Sequence, residues 1–410
     1  MNKQTNTQST KLARNIILAM FFGLVVGLVL RAIPKYEFVH IYIIDGALYI
    51  IGKLFISIIT MLVVPIVFIS LVCGTCHLSD MKKFGGMAIK TVTLYLLTTA
   101  LAISMAIFFA HLFGIGTGSA ITLPSKFVAV QAPGLKQILL NLIPTNPIAA
   151  MVNGDMIQVI IFSILLGLAI ALSGDAGKQV AKVFADFNIV VMKLVTIIMY
   201  TAPVGVFCLI ANMVADLGFS VIYDLLGYFF TVLFVLLFQL FAVYPSLLYL
   251  LAKLNPIIFF KKMYSAMVFA FSISSSNASI PVVLASVKNK LGVKNTVAAF
   301  IIPLGATLNM DGTAIMQGVA TVFIAKLYGI DIGLMGYLTV VLMATLASIG
   351  TAGVPSVGLI TLTMVLNQLG LPTQAIALII GVDRLLDMTR TTVNISGDST
   401  IACIVGKSEN

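Results

Sequence analysis

Apolar runs of about 20 residues recur along the whole chain, and this is the length a helix needs to cross a bilayer. Short connections containing polar residues, Pro or Gly separate the runs. The pattern predicts six helices before residue 252, at approximately 12–32, 47–76, 87–112, 157–172, 187–214 and 221–251. The stretch 114–155 is less apolar and contains four prolines, so we expect irregular or broken helical structure there.

Two later segments have polar centres and arms too short to span a membrane. The segment 256–290 lies between lysines and has the serine-rich centre 272–279, whereas 333–371 has a Gly/Thr-rich centre at 348–358. Each arm has about 12–15 residues, which favours a re-entrant hairpin over a full span. Irregular backbone at membrane depth requires surrounding protein or a water-filled cavity. One full span with a serine-rich interior is the alternative for 256–290.

Each hairpin is followed by a helix with unusual polar content. The helix 297–327 is interrupted at 305–313, and the last helix carries the charged stretch 381–400. Helical spacing places five polar residues of that stretch on one face, namely Asp387, Arg390, Thr391, Asn394 and Asp398. Ionisable groups within a membrane indicate a functional site. A cytosolic tail helix with a solvated face is the alternative.

Composition agrees with a membrane protein. The chain is 60% hydrophobic and 9% charged, and its mean hydropathy is +1.12, values that exclude an ordinary soluble domain. The net charge of +10 comes from lysines in short connections, as the positive-inside rule produces, and not from a nucleic-acid-binding patch. We therefore predict an all-α polytopic membrane protein of eight transmembrane helices plus two re-entrant helical hairpins. It lies in the inner (plasma) membrane with both termini cytoplasmic.

The charged face and the broken helix suggest a chemistry of small charged solutes. Arg390 can hold a carboxylate through two parallel hydrogen bonds, and Asp387 can accept from an ammonium. Together they suit a zwitterion with an extra acid group, although the two side chains can also simply neutralise each other. Asn309, Asp311 and the backbone carbonyls near Gly305 offer oxygen ligands for Na⁺. The sequence contains no nucleophile–base pair, P-loop or dinucleotide fingerprint, so it does not predict an enzyme.

Four motifs together resemble the dicarboxylate/amino acid:cation symporter family of glutamate and aspartate transporters. They are Asn309–Thr313, the serine-rich hairpin, the Gly-Thr-Ala-Gly-Val-Pro tip at 350–355, and the polar pattern of residues 383–398. The resemblance covers essentially the whole chain in helix order. It implies a homotrimeric secondary active symporter that imports glutamate or aspartate with Na⁺ by an elevator mechanism. A proton-coupled glutamate/aspartate symporter, or a neutral amino acid or C4-dicarboxylate symporter of the same family, is the alternative.

The resemblance also implies roles for individual residues. The substrate-binding residues would be Ser275, Ser276, Thr313, Val354, Pro355, Gly358, Asp387, Arg390, Thr391 and Asn394. One sodium site would use Gly305, Asn309, Asn394 and Asp398, a second Thr307, Ser348, Ile349 and Thr351, and a third Tyr95, Thr98, Thr99, Asn309 and Asp311. Residues 1–85 and 115–217 would form the fixed scaffold and trimer contacts. Residues 86–114 and 218–410 would form the moving transport domain.

The chain departs from the family pattern at its second arginine. Archaeal members carry an arginine in the first hairpin, where Ser274 stands here, and neuronal members carry one where Met388 stands. Arg384 is the nearest replacement, and the resemblance assigns it no role. The missing arginine argues against potassium counter-transport. Polar residues of the outer tip, including Ser356, also differ from some members, which leaves the preference between aspartate and glutamate open.

Overall fold

The computed structural model describes residues 2–33, 37–76, 86–116, 143–217, 219–349, 353 and 357–408. Every regular element in these ranges is a helix, which confirms the all-α class. Five helical segments of the described chain are long and apolar enough to cross a membrane, or six if one bent pair counts as a single span. The polytopic membrane fold is therefore confirmed, whereas the count of eight helices and two hairpins stays a prediction.

Fifteen helices follow one another in the described ranges. They are α1 (Asn2–Ala32), α2 (Val39–Cys76), α3 (Gly86–Leu112), α4 (Pro147–Asn153), α5 (Met156–Leu172), α6 (Gly174–Met199), α7 (Ala202–Leu217), α8 (Phe219–Phe238, continued by Gln239–Val243 and Tyr244–Ala252), α9 (Pro256–Ile273), α10 (Ser276–Asn289), α11 (Asn295–Leu308), α12 (Asp311–Leu327), α13 (Gly333–Ser348), α14 (Val357–Gln368) and α15 (Ile376–Ser408). The middle part of α8 and the first part of α2 are π-helical.

The helix predicted over 187–214 is two helices, and its expected start was wrong. α6 begins at Gly174, and α6 and α7 meet at an angle of 49°. Pro203 lies in the first turn of α7, where its missing N–H interrupts the hydrogen bonding of a continuous helix. The sequence prediction treated this segment as one helix and therefore missed both the bend and the separation into two helices.

The serine-rich segment forms two packed arms joined by a tight turn. α9 ends at Ile273, and Ser274 takes the left-handed conformation with φ of 53°. Ser275 then caps α10, because its side-chain oxygen accepts from the Ala278 amide at 3.3 Å. The Lys290 ammonium donates to the Ser265 hydroxyl at 2.7 Å, which ties the two arms away from the tip. The alternative of one continuous span is wrong. The expected arm length of 12–15 residues was also wrong for α9, which has 18 residues and is long and apolar enough to cross a membrane. A re-entrant path through a membrane stays a prediction.

The predicted interruption of the helix 297–327 is confirmed. α11 ends at Leu308 and α12 begins at Asp311, with Asn309 and Met310 outside both helices. Asn309 is extended, with φ of −110° and ψ of 100°. The unwound part is therefore shorter than the polar stretch 305–313, whose other residues are helical.

α15 runs through the interior of the protein. Its residues Leu386 and Val393 belong to the larger apolar cluster. Further along the helix, Ile401 and Val405 belong to a second cluster with α9, α10 and α11. The polar face of α15 is thus enclosed by protein, and the alternative of a solvated tail helix is wrong.

Candidate substrate and cation site

Arg390 bridges two carboxylates at the centre of the molecule. Its side chain is 1% exposed, and Nη1 donates to Asp383 Oδ1 at 2.7 Å while Nη2 donates to Asp387 Oδ1 at 2.6 Å. A longer contact of 3.4 Å joins Nη2 to Asp383 Oδ2. A buried guanidinium requires such partners, because an unpaired charge is costly to remove from water. Arg390 and Asp387 therefore lie together as the spacing predicted, with Asp383 as an additional partner.

Residues of α12 and α14 approach the same guanidinium. A Cβ atom added to Gly358 would lie 3.0 Å from Thr313 Cγ2 and 3.4 Å from Arg390 Nη1. Three predicted substrate residues from three helices therefore converge at Arg390. Any side chain at position 358 would occupy the space beside the guanidinium.

Asn394 connects the broken helix to α15. Its Oδ1 accepts from the Gly312 amide at 2.8 Å, which satisfies a donor that the start of α12 leaves without an intrahelical partner. A Cβ at Gly312 would lie 2.7 Å from the Arg390 carbonyl oxygen, so only glycine permits this approach. Thr391 is used within its own helix, since its hydroxyl donates to the Asp387 carbonyl at 2.8 Å.

Four residues of the first and third predicted sodium sites meet around Asp398. The side-chain Nδ2 of Asn309 donates to Asp398 Oδ1 at 2.9 Å. A Cβ at Gly305 would lie 2.5 Å from the Tyr95 hydroxyl oxygen and 2.6 Å from Asp398 Cγ, so all three residues touch. The Tyr95 hydroxyl itself donates to the Ile301 carbonyl at 3.0 Å.

Asp311 is fully buried and accepts four hydrogen bonds. Thr99 and Thr98 donate to its Oδ1 at 2.6 Å and 3.5 Å. On the other side, Tyr244 and Gln239 donate to its Oδ2 at 2.9 Å and 3.3 Å. Gln239 is the first residue of the π-helical part of α8 and Tyr244 directly follows its last, and such a distortion is frequent at functional sites.

The oxygen atoms of these two clusters fit a hard monovalent cation. Asn309 Oδ1 and Gln239 Oε1 are buried and have no hydrogen-bond partner among the residues that the structure describes. In the described chain no basic side chain forms an ion pair with Asp311 or Asp398, unlike Asp383 and Asp387. Carboxylate, amide and hydroxyl oxygens are the ligands that Na⁺ accepts in such transporters. No group of three or more His, Cys, Asp or Glu that could hold a metal occurs in the described ranges.

The tips of the two hairpin segments meet at one carbonyl group. The Gly353 carbonyl oxygen accepts from the Ser275 hydroxyl at 2.7 Å and from the Asn277 backbone N–H at 3.1 Å. A Cβ at Gly353 would lie 2.9 Å from Ser276 Cβ, so the backbone there must be glycine. The predicted substrate residue Ser275, together with Asn277, thus holds the first tip against the second, and the predicted substrate residue Ser276 lies beside Gly353.

The second predicted sodium site is only partly brought together. Ser348 is the last residue of α13 and lies against the end of α11, where its hydroxyl donates to the Leu308 carbonyl at 3.2 Å. Thr307 bonds within α11, to the Leu304 carbonyl at 2.8 Å, and Ile349 is half-buried. The other predicted members of the tip fall outside the described residues, namely Thr351, Val354 and Pro355.

Sequence reasoning missed three residues that contact the predicted site. Asp383 lies two turns before Arg390, on the same face of α15, so helical spacing contained the signal. Gln239 is a polar residue in an apolar run, which also marks a functional position in a membrane. Tyr244 carried no signal, because a tyrosine near the end of an apolar helix is commonly an interfacial anchor.

A broken helix, paired hairpin tips and a buried ion-pair cluster define a secondary transporter of small charged solutes. Comparison with known proteins agrees with this class. The chain belongs to the sodium:dicarboxylate symporter family, whose model matches residues 12–408. Members of this family are transporters and not enzymes.

Three relatives illustrate the breadth of the similarity. The proton/sodium-glutamate symport protein of Bacillus caldotenax is 33% identical over 97% of this chain and 94% of its own length. The proton/glutamate-aspartate symporter of Escherichia coli K12 is 32% identical over 97% of this chain and 93% of its own length. The excitatory amino acid transporter 1 of Ambystoma tigrinum is 32% identical, covering 86% of this chain and 76% of the relative.

Proposed function

We propose that this protein is a secondary active symporter that imports glutamate or aspartate together with Na⁺. The observation that carries the proposal is Arg390, a guanidinium that is 1% exposed and surrounded by carboxylates. A substrate carboxylate can take the place of Asp383 on this guanidinium, because both are planar acceptors of two N–H groups. The substrate ammonium then binds Asp387. The names of the relatives, which include glutamate and aspartate symporters, support the same substrate class.

Asn394 and Asn309 connect the substrate-binding residues around Arg390 with the proposed cation site at Asp398. This connection can couple substrate binding to cation binding. Asn394 lies one helical turn from Arg390 and accepts from the start of α12 at 2.8 Å. Its carbonyl oxygen lies 3.5 Å from Asn309 Nδ2, and Asn309 also bonds Asp398. A cation bound by Asn309 and Asp398 fixes the end of α11, and with it the backbone on which substrate binds. Shared elements of this kind give a coupling free energy between two ligands.

Sodium is the ion that these oxygen clusters accommodate most directly. The predicted sites would be formed by Gly305, Asn309, Asn394 and Asp398, by Thr307, Ser348, Ile349 and Thr351, and by Tyr95, Thr98, Thr99, Asn309 and Asp311. Protons are the second candidate, because Asp311 and Asp398 are buried carboxylates without a basic partner in the described chain. The relatives are named for either ion.

The packing of helices supports a division into a fixed part and a moving part. α1 packs chiefly on α7, and α2 on α5 and α6, whereas α3 packs on α12 and α13. This grouping suits a scaffold of residues 1–85 and 115–217 and a transport domain of residues 86–114 and 218–410. In the proposal the transport domain moves as an elevator within each protomer of a homotrimer. Both termini lie on the cytoplasmic side of the inner membrane, because the connections on that side carry the lysines.

The test is uptake of labelled L-glutamate and L-aspartate into proteoliposomes that contain the purified protein. An inward Na⁺ gradient and an inward proton gradient are applied separately. Accumulation that requires Na⁺ supports the proposal, whereas accumulation driven by protons alone keeps the substrate and replaces the ion. If unlabelled succinate or alanine reduced the uptake and unlabelled glutamate did not, the dicarboxylate or the neutral amino acid alternative would be favoured.

Arg390→Cys tests the role of the guanidinium directly. We expect it to abolish uptake of both acidic amino acids, because no other described basic group contacts Asp383 or occupies that position. Arg390→Lys keeps the charge but loses the two-pronged geometry, so its uptake should also be strongly reduced. The exposed Arg31→Cys is the matched control for introducing a thiol. Undiminished glutamate uptake by Arg390→Cys would contradict the assignment.

A further inference from the structure

A second arginine lies next to the proposed substrate site and has no role in it so far. Arg384 is one helical turn before Asp387, and its side chain is only 10% exposed. Its Nη1 lies 3.6 Å from Asp387 Oδ2, which is longer than a charge-assisted hydrogen bond of about 2.7–2.9 Å. Its Nε is buried and has no hydrogen-bond partner in the part of the chain that the structure describes. A buried guanidinium with a loose contact and an unused donor is not optimised as a structural ion pair.

Asp387 therefore lies between two cations on the same helix. Arg390, one turn later, holds Oδ1 at 2.6 Å, whereas Arg384, one turn earlier, faces Oδ2. The tight contact orients the carboxylate, and the loose contact covers the oxygen that points away from Arg390. A ligand cation approaching Asp387 must therefore compete with Arg384 for that second oxygen.

We propose that Arg384 substitutes for the substrate ammonium in the empty site and thereby sets the discrimination between amino acids and plain dicarboxylates. The inference rests on the proposed function, in which Asp387 accepts the ammonium. An ammonium donates three hydrogen bonds and can approach a carboxylate oxygen closely, so it displaces the 3.6 Å contact with Arg384. A dicarboxylate has no such group and leaves Arg384 in place.

Neutralising Arg384 removes the competitor and should favour amino acids alone. In Arg384→Gln we expect the KM for L-glutamate to fall about fivefold. This factor is the lower end of the usual range of coupling between two ligands, here the Arg384 guanidinium and the substrate ammonium at Asp387. The inhibition constant for glutarate, which has the same two carboxylates without an ammonium, should not fall. The ratio of the two constants is the readout, because a merely structural defect would lower the maximal rate or the yield and leave that ratio unchanged.

Two further variants complete the experiment. Arg384→Met is a second neutral variant that keeps an apolar stem, and it should show the same change in the ratio. Arg384→Lys keeps the positive charge, so its ratio should stay within about twofold of the wild-type value. All variants are purified in the presence of L-glutamate, and their folding is checked by thermal unfolding.

The outcomes separate this inference from the proposed function. If the wild-type protein takes up neither amino acid, the proposed function fails. If the wild-type protein transports glutamate but the neutral variants keep the wild-type ratio, or have a raised KM for glutamate, the inference alone is overturned. Loss of folding in both neutral variants would also overturn it, because a residue that only substitutes for substrate is dispensable when glutamate is present.

Discussion

Gly305→Ala is the sharpest test of the cation cluster around Asp398. The added Cβ would lie 2.5 Å from the Tyr95 hydroxyl oxygen and 2.6 Å from Asp398 Cγ, whereas ordinary contacts of such an atom begin at 3.4 Å. The Tyr95 hydroxyl and the Asp398 carboxylate must therefore both move, by roughly 0.9 Å and 0.8 Å, which are the gaps between these contacts and ordinary packing. The Asn309–Asp398 hydrogen bond of 2.9 Å does not survive a displacement of that size.

The magnitude follows from the cost of overpacking a well-packed interior. Such insertions typically cost about 1–3 kcal/mol, and about 1.4 kcal/mol corresponds to a factor of ten in an equilibrium constant. If the strain falls on the cation-bound form, the Na⁺ concentration for half-maximal glutamate uptake should rise by about tenfold or more. The maximal rate at saturating Na⁺ should change less, because the substrate residues beside Arg390 are not displaced.

The assay is initial glutamate uptake into proteoliposomes over a range of external Na⁺ concentrations. Gly227→Ala is the matched control, because it is the same substitution inside a helix and its Cβ would meet only Ile115 Cγ2 at 3.8 Å. The control should keep the wild-type sodium dependence. If Gly305→Ala also kept it within about twofold, Gly305 and Asp398 would not enclose the coupling ion. For a proton-coupled protein the same comparison is made over external pH.

Two further predictions concern single hydroxyl groups. Ser275→Ala removes the hydroxyl that donates to the Gly353 carbonyl at 2.7 Å and that also accepts from the Ala278 backbone N–H at 3.3 Å. It should raise the KM for glutamate about fivefold or more, because the contact between the tips weakens by about 1 kcal/mol and α10 loses its cap. Ser279→Ala, whose hydroxyl bonds within the same segment, is the control in the same kinetic measurement, and equal values for the two variants would contradict the role of Ser275 at the tip. Tyr244→Phe removes the 2.9 Å hydrogen bond from the tyrosine hydroxyl to the Asp311 carboxylate. The Na⁺ concentration for half-maximal uptake should change about tenfold, because hydrogen bonds to charged groups contribute about 1.5–3 kcal/mol. An unchanged Na⁺ concentration for half-maximal uptake would show that Asp311 does not need this donor.

Local sequence chemistry predicted the irregular parts of the fold. The polar stretch 305–313 indicated a broken helix, and the break occurs at Asn309 and Met310. The segment predicted to begin at residue 256 does so, because α9 starts at Pro256, and the structure shows the Asn255 side chain accepting from the Ile257 backbone N–H at 2.9 Å. These features depend on backbone rules that operate over a few residues, so one sequence is sufficient to find them.

The composition of the buried clusters was harder to predict, because it depends on how distant helices cross. Tyr244 and Gln239 are 67 and 72 residues from Asp311 in sequence. Their contact with it depends on the rotation of α8, which an apolar run does not specify. Gly305 shows a related limit. The sequence suggested a backbone carbonyl ligand there, whereas the structure shows in addition that Tyr95 and Asp398 leave no space for a side chain.

The four charged groups around Arg390 have a consequence for how the empty protein responds to membrane voltage. Arg384, Arg390, Asp383 and Asp387 are two cations and two anions, so with all four ionised their formal charges sum to zero. Any symporter must return its empty site across the membrane, where each unit of net charge exchanges about 2.3 kcal/mol per 100 mV. The electric field therefore exerts no net force on the substrate half of the empty carrier. In the two oxygen clusters that fit a cation, the electric field acts on the carboxylates of Asp311 and Asp398 when they are ionised. The voltage dependence of the return of the empty carrier should therefore respond to neutralisation of these aspartates.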